Sequence, residues 1–173
     1  MEMKPNGIGD ADCRTTHLEH SAFPTSMSLP DVLAKYWSEL RKILPANELH
    51  VVDPYILDSG GADAATYAGD VTSLLGPALR RVNRVVFVHD KPRVGIRELL
   101  ESDIALVDAT TEVHFHRGTV MHARYVVADR SRALRMEFSF NRIGRSFGTV
   151  SLVDDGEDLA GVLEELERLS PAA

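Results

Sequence analysis

Four strand-like runs follow one another between Glu112 and Val153 with almost no helical pattern between them. They are Glu112–His116, Met121–Ala128, Leu134–Phe140 and Thr149–Val153, and the polar connection Arg130-Ser131-Arg132 makes the second and third a hairpin. The first half of the chain alternates instead. Ser28-Leu29-Pro30-Asp31 offers a helix start with Ser28 as its cap. Val32, Leu33, Tyr36, Trp37, Leu40, Ile43 and Leu44 then recur at helical spacing until Pro45 stops the pattern. Leu49–Leu57 is β-rich and ends or bulges at Pro54. Residues 63–82 read as a helix with a break or kink at Gly76-Pro77, and Arg84–His89 as a buried strand covered on both faces. A helix over 93–102, a short strand or turn at 104–107 and an amphipathic helix over 157–169 complete the set. Alternation followed by a hairpin-rich half predicts an α/β sheet with parallel pairs.

The 173 residues suit one domain with a real core. Residues 1–27 lack periodicity and read as a flexible tail, leaving 28–173 as the folded unit. Cys13, His17 and His20 fall in that tail, where three ligands on a floppy segment make a poor metal site. The lone cysteine excludes an internal disulfide. No apolar run approaches the ~20 residues that span a bilayer, and no basic-then-apolar leader is seen. The expectation is a cytoplasmic protein without a cofactor.

Net charge is −7, which argues against indiscriminate nucleic-acid binding. Its distribution is uneven. Residues 114–146 hold seven arginines against Asp129 and Glu137, so the segment is basic within an acidic chain. Arginine's planar fork suits bidentate contact with phosphate or carboxylate. A local anion site therefore fits better than a broad basic face, with about half of these arginines expected to pair with acidic helices.

Within the segment, side chains two apart on a strand share a face. His122 and Arg124 should project together, as should Ser139 and Asn141 on the next strand. Convergence would bring an imidazole, a guanidinium and two neutral hydrogen-bonders to one pocket, with Asp129 as an acid to orient the histidine. Such a set can hold phosphate and attack it. Arg142 and Arg145, flanking Gly144, extend the anion site or anchor a dimer. Asp53-Pro54-Tyr55 at a strand end reads equally as a pocket mouth or a structural turn. A competing metal site would use His114-x-His116 with His122 and His89-Asp90. The plainer reading puts His114 and His116 in solvent on an edge strand, with Val113 and Phe115 packed inside.

His122-x-Arg124-x4-Asp129 followed by Ser139-x-Asn141 resembles the H-x-K-x4-D and G-S-x-N signature of the phospholipase D superfamily. Arg124 replaces the lysine and Phe138 the glycine. The chain looks similar to a degenerate branch that includes the C-terminal domain of microtubule-interacting-and-transport proteins. The resemblance implies a mixed sheet flanked by helices in one domain. It implies His122 as attacking residue, Asp129 as its orienting partner, Arg124, Ser139 and Asn141 as phosphate holders, and no metal. One copy of the motif implies a symmetric homodimer sharing the site. Arginine for lysine changes size and geometry, which favours phosphate binding with reduced or absent catalysis. The alternative is a metal-independent phosphodiesterase or nuclease working through phosphohistidine. The ligand would be phosphorylated, a nucleic acid or lipid headgroup. A dimerising or protein-partner module without enzymatic activity is the third reading.

Overall fold

The computed structural model of the chain describes residues 20–118 and 124–171. In chain order the elements are β1 (His20–Phe23), α1 (Leu29–Arg41), β2 (Glu48–Val52), α2 (Ala64–Leu79), β3 (Arg84–His89) and α3 (Ile96–Val107). Then come β4 (Glu112–Arg117), β5 (Arg124–Ala128), β6 (Arg132–Met136), a 3-10 turn (Phe140–Arg142), β7 (Gly148–Leu152) and α4 (Gly156–Leu169). The strands form one seven-stranded sheet in the order β1-β7-β6-β5-β2-β3-β4. β2, β3 and β4 run parallel, each joined by a crossover helix, while β5, β6, β7 and β1 are antiparallel. The protein is a single mixed α/β domain, as the alternation and the hairpin run require.

Two apolar layers hold the sheet between helices. One face carries Leu49, Val51, Val85, Phe87, Val126, Leu134 and Val150, packed with Tyr36 and Leu40 of α1, Leu75 of α2 and Leu100 of α3. The other carries Val52, Val86, Val88, Val127 and Ala133, packed against Val162, Leu166 and Leu169 of α4. The strands at the sheet's centre are buried on both faces, which is why β3 reads as a continuous apolar run.

Local chemistry sets the helix ends. Ser28 accepts from Asp31 N, Asp63 from Thr66 N, and Asp155 from Glu157 N and Asp158 N. Pro77 lies inside α2 without ending it. Having no N–H, it leaves the Ser73 carbonyl without its usual donor, and the indole Nε1 of Trp37 donates to that carbonyl at 3.0 Å. One proline thus ties α2 to α1.

Four expectations are corrected. The tail reading fails at its C-terminal end, because His20–Phe23 pairs with β7 and Phe23 is fully buried. The helix expected over 93–102 is α3, which starts after Gly95 at φ 89° and continues through the stretch expected as strand or turn. Ile96, Leu100 and Ile104 lie one turn apart on its buried side, so the helical period runs on to Val107. Of the break or kink expected at Gly76-Pro77, a break is absent, since α2 runs through both residues. The strand expected over Leu134–Phe140 ends at Met136, which moves Ser139 and Asn141 off it.

Candidate anion-binding cleft

Asp53 is the hub of the cleft. It follows β2 and is held to the next strand by its own N–H, which donates to Val88 O at 3.1 Å. Its carboxylate is wholly buried. Oδ2 accepts from the Ser139 hydroxyl at 2.6 Å and from Phe140 N at 2.8 Å, and Oδ1 accepts from Tyr55 N at 3.0 Å. Burial pushes this carboxyl above its ordinary range, while the three hydrogen bonds and nearby Arg124 pull it back. The same bonds explain why β6 stops short. The chain after Met136 is drawn onto Asp53 and turns into the 3-10 segment.

Arg124 begins β5 with Nε 3.6 Å from Asp53 Oδ1. Its guanidinium carbon lies 5.8 Å from the centre of the Tyr55 ring, and the Lys91 ammonium approaches the same ring at 5.1 Å. The Arg124 Nε is buried and has no hydrogen-bond partner among the described residues, the Asp53 carboxylate lying just beyond hydrogen-bond distance.

The opposite wall is the loop after Tyr55. Asn141 Nδ2 donates to Asp58 O at 2.8 Å. Asp58 Oδ1 accepts from Gly60 N at 2.9 Å and is 2.8 Å from Arg93 Nε. Gly60 has φ 62°, and a Cβ there would lie 3.3 Å from Asn141 Nδ2, so both backbone and space call for glycine. The cleft enclosed by these parts measures about 630 Å³ and is lined by Tyr55, Arg93, Arg124, Ser139, Asn141 and Arg142 among others. Phe147, 66 % exposed, stands at its edge.

The structure brings four expected site residues together at this cleft: Arg124, Ser139, Asn141 and Arg142. It does so through a turn rather than the strand spacing expected for Ser139 and Asn141. His122 lies outside the described residues. Asp129 is placed elsewhere, just past the far end of β5 from Arg124. Its Oδ1 accepts from Asn47 N at 2.8 Å and Glu48 N at 2.9 Å, and it sits at φ 49° in the turn before β6. That carboxylate closes a turn, which corrects its expected role beside the cleft. Arg145 also points away. It lines a separate depression with Asp70, whose carboxyl it draws down against the effect of burial.

Phe138, where the resemblance has glycine, packs over Gly148 and meets Phe23 edge-on at 5.4 Å. A Cβ on Gly148 would come within 2.2 Å of the Phe138 ring, so the neighbouring strand must carry glycine there. Arg93, Asp58 and Gly60 were not singled out from sequence, since nothing in their spacing announces a cleft wall. Asp53 and Tyr55 carried the one legible signal, an acid and a phenol beyond a strand's carboxyl end.

His114 and His116 lie on edge strand β4, with Val113 and Phe115 turned to the core. His114 Nε2 is 3.4 Å from Glu112 Oε2. No group of three His, Cys, Asp or Glu among the described residues is arranged to hold a metal ion. No helix among them is long and apolar enough to cross a membrane.

Arg93, Arg124 and Arg142 line the cleft together with Asp58 and Glu137, so its lining carries one net positive charge. The Ser139 proton goes to Asp53 and one Asn141 amide hydrogen to Asp58 O, so the free donors are mainly guanidinium groups. Fold and site together define the class: a mixed α/β domain with an arginine-rimmed cleft at strand ends. No family model matches the sequence, and no curated protein matches it. Among solved structures it is similar to TrmBL2, an archaeal chromatin protein with a novel mode of DNA binding. The two are 12% identical with a TM-score of 0.44, over 90% of this chain and 54% of that one. The chain thus spans about half the length of that structure, and a likeness of this size carries no functional inference.

Proposed function

We propose that the chain is a phosphate-binding domain of phospholipase D-like type, homodimeric, with catalysis reduced or absent. The observation that carries this reading is Arg124. Its guanidinium is paired with a buried carboxylate and borders a cleft shared with Arg142 and Arg93. A phosphate monoester or diester supplies acceptors and the opposite charge for a guanidinium bordering the cleft. Reduced catalysis fits the commitment of the Ser139 and Asn141 donors to protein acceptors. It also fits Asp129, which is engaged in a turn. The homodimer rests on the single copy of the His122-x-Arg124 pattern. Phosphorylated ligands of two kinds, a nucleic-acid strand or a lipid headgroup, present the same group to these arginines.

The test is calorimetric titration in EDTA with inorganic phosphate and with bis(4-nitrophenyl) phosphate. Binding should weaken at least tenfold in Arg124→Ala and persist in His122→Ala, with no nitrophenolate released. Release that survives EDTA and vanishes in His122→Ala would replace this reading with a phosphodiesterase. Absence of binding in the unmodified protein would end it.

A further inference from the structure

A second cleft, about 560 Å³, opens between the C-terminal parts of α1 and α2. Trp37, Leu44, Pro45 and Pro77 give it apolar walls. Arg41, Arg80 and Arg81 also line it, all three exposed and none paired with a carboxylate among the described residues. That is unexpected in a chain with 26 acidic residues against 19 lysines and arginines. A cation at each helix C-terminus is favoured by the dipole. The dipole does not call for three guanidinium groups around one apolar hollow.

Two features keep the hollow open and rigid. The Trp37 indole is pinned by its bond to Ser73 O, the carbonyl that Pro77 leaves without a donor. Gly76 lines the cleft inside a helix, where glycine is disfavoured, yet a Cβ there would meet nothing within 4 Å. Packing therefore does not require glycine, and its missing side chain is what leaves the space empty. A preorganised aromatic, proline walls and a triad of arginines select a ligand with a flat apolar body and several negative charges. The volume falls within the ~300–1,000 Å³ of small-molecule sites.

We propose that this cleft binds a nucleoside diphosphate or triphosphate, with the base against Trp37 and the phosphates among Arg41, Arg80 and Arg81. The site shares no residue with the Arg124 cleft and does not depend on the function proposed for it. Trp37 is the chain's single tryptophan, so its fluorescence reports the site directly. Titration with ADP should give a saturable change, while adenosine and pyrophosphate bind at least tenfold more weakly. Gly76→Leu, which fills the hollow, and the double variant Arg80→Gln/Arg81→Gln should each raise the Kd for ADP at least tenfold. Arg124→Ala should leave it unchanged. Where Gly76→Leu does not fold, the double variant carries the test. A flat titration, pyrophosphate binding as tightly as ADP, or unchanged affinity in a folded Gly76→Leu or double variant would overturn the proposal. Affinity lost in Arg124→Ala would overturn it too, by moving the ligand to the other cleft.

Discussion

Asp53 lies behind the cleft and Asp129 in a turn away from it. The sequence offers Asp129 as the orienting acid and Asp53 equally as a pocket mouth or a structural turn, and the structure reverses that weight. Asp53 gathers Ser139, Phe140 and Tyr55 within hydrogen-bond reach, and replacing it by alanine strands the three donors in a dry interior. Asp53→Ala should therefore cost about 3–5 kcal/mol in urea unfolding. A loss below about 1 kcal/mol would show that the chain after β6 does not depend on it. Asp129→Ala frees two backbone amides at a surface turn and removes a 3.8 Å contact with Arg132. It should cost about 1–2 kcal/mol and leave phosphate affinity as it was, whereas a catalytic or positioning acid would change affinity or turnover. The reversal was not legible from spacing, because Ser139 bonds to a partner 86 positions away. The motif marked residues that the structure gathers at one cleft and could not show what they bond to.

At the scale of elements, α2 shows sequence and structure pulling apart. Gly76-Pro77 reads as a break, yet the helix runs through it because its apolar side is buried and Trp37 satisfies the carbonyl that proline orphans. Tertiary packing overrides a local breaker. Gly76→Ala should raise stability by about 1 kcal/mol, since the added methyl meets nothing. A thermal melt showing destabilisation would mean that the backbone there needs glycine. β2 carries a second element-scale effect through His50. This side chain is 1% exposed, packed below the end of α4 near Arg130, whose guanidinium also reaches Ser170 O and Glu167. Burial outweighs the attraction of Glu48, and Arg130, His116 and Arg84 add repulsion, so the imidazole is lowered from 6.5 to about 4. A depressed histidine gives stability that is present above its unfolded pKa and lost as pH falls towards the folded one. Unfolding free energy should fall by about 3 kcal/mol between pH 6.5 and 4 on this account. His50→Gln should flatten that part of the pH profile; an unchanged slope would assign it to other groups.

At the scale of the whole molecule, about half of the arginines in the basic segment meet a carboxylate, as expected, but mostly not one on a helix. Of the seven arginines in 114–146, Arg124, Arg130 and Arg132 meet carboxylates. Arg142 stays exposed at the cleft and Arg145 faces Asp70 across the turn. The α/β class, the parallel first half and the β5–β6 hairpin were legible because each follows from local periodicity and short connections. β1 was not, because a four-residue strand whose partner is β7 leaves no periodic trace in the sequence. The cleft was half legible. Its arginines and its Ser-x-Asn pair stand out, while Asp58, Gly60 and Arg93 reach it only through the fold.

The central claim is that the Arg124 guanidinium, held on its inner side by Asp53, receives the phosphate. The most direct measurement is the NMR signal of the Arg124 Nε–H during titration with inorganic phosphate in EDTA. The account predicts a saturable shift of that signal, with the Arg145 signal unmoved. A shift confined to Arg145, or none at Arg124 at saturating phosphate, would contradict it.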